Sequence, residues 1–234
     1  MDLLFDSVAS AFVLLMSFDR ELIEIVLVSL NVSCFATIIA SLVGIPGGFV
    51  VAYSSFPGKR LVLTCLNTLL ALPTVVIGLL VYSFISRKGL FGSLDLLYTQ
   101  KAIIIGQVIL IVPVIMTLTI AAVSRIDDRY RTTALTLGAS RIQMARVIFL
   151  EARYGVLAAV IAAFGRVIAE VGISMMLGGN AKGFTRTMTT AMALEYDKGE
   201  FVLAVALGIT LMSLAFLINL LFHFFQGRTG NEAV

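Results

Sequence analysis

Five apolar stretches, each long enough to cross a bilayer, constrain this chain more than any other feature. They cover residues 22–53, 61–86, 102–124, 154–178 and 201–225. A helix of about 20 apolar residues crosses the roughly 30 Å of hydrocarbon in a membrane. No water reaches that core to satisfy backbone N–H and C=O groups, so helices or closed barrels alone can span it. Stretches of this length read as helices, and the chain as one all-α membrane domain of about five spans. The composition fits: 59% of residues are apolar and 13% charged, where soluble domains carry about 25% charge.

Several function classes fall away. A formal net charge of +3 gives no nucleic-acid footprint. His223 is the single histidine, set between Phe222 and Phe224 near one end of the last span. With no Cys/His spacing, metal-centre chemistry is not expected. Cys34 and Cys65 lie inside apolar runs and read as small buried hydrophobes, reduced and unpaired. The Met175–Met176 pair reads as packing. No nucleophile stands in a recognisable arrangement with a base, so the chain is not read as an enzyme, and no cofactor is expected on it. It carries no GxxxxGK[ST] motif; FPGKR at 56–60 lacks the first glycine and the hydroxyl residue. If this protein pumps, the nucleotide site is on another polypeptide.

The ends are short. Residues 1–20 carry Asp2 and Asp6 where a secretory signal is basic, and their apolar part is too short to span, so they read as an interfacial helix. Residues 21–226 form the membrane domain, and 227–234 a polar tail. GIPGG at 44–48 predicts a kink or early exit from the first span, and Pro73 and Pro113 fall inside the second and third. Lysine and arginine set orientation. Lys59, Arg60, Arg125, Arg129, Arg131, Arg141, Arg146, Arg153 and Arg228 lie on one side. Arg20, Arg87, Lys88, Lys101, Lys182, Arg186 and Lys198 lie on the other. The arginine-dense loop 126–153 is placed in the cytoplasm, which puts the N-terminus outside and the C-terminus inside.

That loop, RIDDRYRTTALTLGASRIQMARVIFLEAR, interrupts an apolar chain for a reason. Asp127 or Asp128 can cap a helix start, and Gly138 permits a sharp turn. Beyond it Ile142, Ala145 and Phe149 recur at helical spacing, a narrow apolar stripe flanked by Arg141 and Arg146. Such a helix can lie on a membrane or plug into a groove of a partner. Both readings stay open on the residues alone.

The loop resembles the EAA loop of ABC importer permeases. Thr132, Thr133 and Ala134 stand at the Glu-Ala-Ala positions, Gly138 at the glycine, and Ile148 and Leu150 follow at the family distance. Thr132 in place of the acid and Glu151 in place of the closing proline depart from the pattern. GRVIAEVGISMMLGGN (165–180) and FTRTMTTAMALEYDKGEF (184–201) resemble the molybdate, sulfate and tungstate importer permeases, most of all the tungstate branch. The resemblance implies a type I permease bundle and a homodimer. It also implies a cytoplasmic ABC ATPase pair carrying ATP and Mg, and an extracytoplasmic substrate-binding protein. Thr132, Thr133, Ala134, Gly138, Ala139, Ser140 and Arg141 would then form the coupling element that sits in the ATPase.

Arg166 and Glu170 fall mid-span at i and i+4, a spacing that puts them on one helix face. Each charge at mid-bilayer costs about 2.5–3.5 kcal/mol, so neither is expected to face lipid. They are read either as an internal ion pair or, with Gly178, Gly179 and Asn180, as gate or pathway residues. Lys182, Thr185, Arg186, Thr187 and Thr189 follow in a polar stretch that could contact an anion, dock the external protein, or do neither. The leading expectation is an ATP-driven oxyanion importer permease, with tungstate as cargo and alternating access as mechanism. Molybdate or sulfate is the nearest alternative. An ATP-independent channel or secondary transporter is the alternative from another class.

Overall fold

The computed structural model describes residues 10–17 and 19–230, the side chains of 221–230 excepted. Calls on residues 1–9 and 231–234, and on the His223 side chain, lie outside the described residues. Helix α1 covers 10–16. It is followed by α2 (Arg20–Tyr53), α3 (Lys59–Leu70), α4 (Thr74–Ile85), α5 (Gln100–Ser124) and α6 (Asp128–Thr136). The chain ends with α7 (Arg141–Ile168), α8 (Gly172–Gly178), α9 (Met188–Lys198) and α10 (Phe201–Gly230). Among the described residues there is no strand. The all-α expectation holds.

Four helices are long and apolar enough to cross a membrane: α2, α5, α7 and α10. The expected second span is instead a bent pair, α3 and α4, meeting at 97°. Pro73 is therefore not inside a helix. It precedes α4 with an extended backbone (ψ 131°), because a proline disfavours helix in the residue before it and suits a helix start. The expected fourth span also differs. It begins at Arg141, inside the arginine loop, stops at Ile168, and resumes as the short α8.

Of the two outcomes expected of GIPGG, the early exit does not occur: α2 runs through Pro46 to Tyr53. Its glycines serve packing. A Cβ on Gly48 would stand 2.7 Å from the Met116 carbonyl oxygen and 2.9 Å from Thr119 Cβ on α5. Lipid tails are as apolar as leucine, so membrane helices associate by such close approach of small residues. Helix α5 is the centre of the bundle, touching α2, α3, α4, α7 and α8.

Side-chain bonds sort the molecule into two ends. At one, Asn31 Nδ2 donates to Gln100 Oε1 (2.9 Å), and Gln100 Nε2 donates to the Phe184 carbonyl (2.7 Å). At the other, the Tyr53 hydroxyl donates to the Arg141 carbonyl (3.4 Å), and Met144, Ile148 and Ala152 of α7 pack with Val123 and Ala134. Helix α1 lies against α2, α9 and α10 through Ala11. Cys34 and Cys65 are free but exposed on the bundle rather than buried; both sit on outward faces of their helices.

Candidate functional site

The two broken spans break against each other. A Cβ on Gly172, the first residue of α8, would meet Thr74 Oγ1 of α4 at 3.0 Å and Glu170 Oε1 at 3.4 Å. Thus the starts of α4 and α8 converge on Glu170. Its carboxylate is only 8% exposed and accepts the Ile173 N–H at 3.2 Å, where the partial positive charge of a helix start favours an anion. The Glu170 carbonyl accepts from Thr189 Oγ1 at 2.7 Å.

Arg166 and Glu170 do not share a helix face, contrary to the i, i+4 expectation. Helix α7 ends at Ile168 and Ala169 caps it, so Glu170 falls in the connection and turns to α8. Arg166 is exposed. Among the described residues it has no ion-pair partner. A guanidinium exposed on a spanning helix must meet water or another protein surface rather than lipid. Sequence reasoning missed Gln107. It is 1% exposed on α5, and its Nε2 donates at 3.4 Å to the Val167 carbonyl, which also accepts the Glu170 N–H at 3.1 Å where α7 ends. A lone amide inside an apolar run was the available signal.

At the far end of α8, Gly179 and Asn180 both take left-handed conformations (φ 68° and 52°), while Gly178 is buried. Asn180 Nδ2 donates to the Thr190 carbonyl at 3.3 Å. Thr185 accepts from the Ala181 N–H and donates to the Gly178 carbonyl at 2.6 Å. Thr187 caps α9 in a reciprocal pair with Thr190, and the next N–H, of Met188, donates to Ser29 Oγ at 2.6 Å. Thr185, Thr187 and Thr189 are therefore buried, their hydroxyls engaged within the chain. Lys182 and Arg186 pair with Glu21 at 2.6 and 3.3 Å. Together these residues latch the segment onto α2.

The arginine loop is a helical corner. Asp127 caps α6 through the Arg129 N–H at 2.9 Å. Gly138 turns the chain at φ 76° with nothing within 4 Å of a Cβ. Ser140 and Gln143 then form a capping box that starts α7. Thr132, Thr133, Ser140 and Arg141 are exposed, Ala139 is half-buried, and Ala134 is buried against Met144. The apolar stripe differs from the expected one: Met144, Ile148 and Ala152 face inward, and Phe149 meets Phe49 edge-on at 5.7 Å. Ile142 stands 83% exposed and Leu137 81% exposed at the tip.

Comparison with known proteins places this geometry. Residues 44–231 match the family described as binding-protein-dependent transport system inner membrane component. A probable anion ABC transporter permease protein of Haloferax volcanii is 37% identical, covering 89% of this chain and 92% of that protein. The tungstate uptake system permease protein TupB of Peptoclostridium acidaminophilum is 36% identical over 97% of this chain and 99% of its own length. A solved bacterial ABC transporter involved in the import of the acidic polysaccharide alginate superposes with a TM-score of 0.75 at 18% identity, covering 93% of this chain and 82% of that one. The latter likeness is one of fold. The chain belongs to the binding-protein-dependent transport system inner membrane component family.

Proposed function

We propose that this protein is the permease subunit of an ATP-driven oxyanion importer, that its cargo is tungstate, and that it works as a homodimer by alternating access. The observation that carries the cargo is the 36% identity to a tungstate uptake permease across 97% of the chain. The loop carries the coupling. Leu137 and Ile142 are large apolar side chains exposed beside Arg141 and Gly138 at a rigid corner, and an apolar tip rimmed by cations suits a groove in a cytoplasmic ATPase pair. That assignment puts the loop inside, with the N-terminus and the latch of Lys182, Thr185, Arg186, Thr187 and Thr189 outside.

Alternating access would use the length of α7. Helix α7 is one 28-residue rod from the corner to Ile168, about 42 Å long at 1.5 Å per residue. Motion of the ATPase pair reaches the α7–α8 break and Arg166 without an intervening hinge. Arg166 on one copy faces the second copy across a pathway that an anion crosses, and Glu170, tied to α8, limits its dwell. Gly178, Gly179 and Asn180 end the broken segment as the gate. Uptake of tungstate in cells with and without the gene tests this, using molybdate and sulfate as competitors. Tungstate uptake that vanishes with the gene and resists excess sulfate is the expected result. ATP-independent uptake would replace this mechanism by that of a channel or secondary transporter.

A further inference from the structure

At the end opposite the arginine corner, the connection between α4 and α5 lines a half-open cavity of about 850 Å³, with Arg87 and Lys88 exposed on it. Tyr82, Ser86, Arg87, Lys88, Asp95 and Tyr98 supply its polar lining. Most cations at this end are already occupied. Arg20 pairs with Glu24, Lys182 and Arg186 with Glu21, and Lys198 with Glu195. Among the described residues, Arg87 and Lys88 have no acid within ion-pair distance. Two free cations thus face one cavity whose lining holds a single acid, Asp95. Another cavity of the molecule, lined by Asp19, Glu21 and Glu200, carries acids instead.

The lining is fixed rather than loose. The Phe91 N–H donates to the Phe84 carbonyl at 2.9 Å, and that of Asp95 to the Gly92 carbonyl at 3.2 Å. Asp95 and Tyr98 are held at φ 44° and 62°, values uncommon outside glycine. Such conformations persist where the surroundings over-determine them, and they cluster at ligand-binding and switch regions. Tyr98 also joins the cavity to the break below. Its N–H donates to the Leu177 carbonyl at 2.8 Å, and its ring covers Gly179 so closely that a Cβ there would lie 2.7 Å from Cδ1.

We propose that this cavity is a reception site for a hydrated tetrahedral oxyanion, held by Arg87 and Lys88 before it passes Tyr98 and Gly179; the inference rests on the oxyanion-importer reading. The cavity is roomy for such an ion, which fits loose capture. A positive concave site raises local anion concentration, and a pathway site must bind weakly enough to release its ion.

The test uses the assembled transporter in lipid nanodiscs without its external binding protein, with equilibrium binding of sodium tungstate, molybdate and sulfate. The unmutated transporter binds at least one of these, and added sodium chloride weakens the binding. Arg87→Gln/Lys88→Gln weakens it at least tenfold, Lys101→Gln leaves it unchanged, and Asp95→Asn tightens it. The gain in Asp95→Asn decides the matter even if the double variant fails to assemble. Equal affinity in the unmutated and double-variant transporters overturns the proposal. So does loss of binding-protein association in the double variant with anion affinity intact, which would make the patch a protein contact. If cells import tungstate yet the nanodiscs bind none, the reception site falls and the importer reading stands. If cells import no oxyanion, both fall.

Discussion

Single residues decide how closely the helices approach and where charge is tolerated. Gly48 is pressed against the α5 backbone, so Gly48→Ala places a methyl 2.7 Å from a carbonyl oxygen. It should cost roughly 1–3 kcal/mol as overpacking, read as a lower unfolding temperature in detergent. At Gly208 a Cβ would stand 3.5 Å from Met192 Cε, an ordinary contact, so Gly208→Ala should not lower that temperature. Arg166→Ala should likewise reach the membrane in normal amount, because the side chain has no partner within the described chain, and should abolish uptake. Arg166→Lys should restore part of it. Normal uptake in Arg166→Ala would show the charge to be dispensable. The presence of Arg166 and Glu170 at membrane depth was legible in the sequence, because charges interrupt an apolar run. Their separation was not. Helical spacing assumes a continuous helix, but α7 stops at Ile168, where the Val167 carbonyl accepts the Glu170 N–H in a tight turn and Gln107 of α5 from another element.

At the scale of elements, the sequence showed five apolar runs and the glycine turn, and the structure keeps both. It did not show that the loop and the fourth span are one helix. Arg146 and Arg153 made that stretch read as outside the membrane, a reading that says nothing about its continuity with the apolar residues that follow. Long cationic side chains are compatible with a helix leaving the bilayer. The break between α3 and α4 was half visible as Pro73; the 97° angle was not, and across it α3 packs on α5 while α4 packs on α8 as well. If α7 transmits motion as a rod, weakening its start should matter. Ser140→Ala removes the cap on the Gln143 N–H and should cost about 1 kcal/mol locally. ATP hydrolysis should then continue with fewer ions moved per ATP, measured in proteoliposomes. An unchanged ratio would argue against the rod.

For the whole molecule, the exposed face of α7, with Ala162, Gly165, Arg166 and Ala169, is where a second copy would close the pathway. Gly165→Cys should give a disulfide-linked dimer on mild oxidation in native membranes, with Cys34 and Cys65 replaced by serine. Monomer alone would place the contact elsewhere. Such a dimer can be driven between two states only by a partner that binds those states differently, and the exposed corner around Gly138 is where that partner would act. Gly138→Asp suits the question, because nothing stands within 4 Å of a Cβ there and aspartate tolerates the left-handed φ of 76° better than most residues, while a carboxylate enters the tip between Leu137 and Ile142. The first measurement is therefore gentle affinity purification of the tagged chain from its native membrane, unmutated and as Gly138→Asp, with identification of bound proteins. The account predicts a P-loop ATPase retained by the unmutated chain and lost from the variant. A chain that comes away alone, or an ATPase held equally by both, would contradict it.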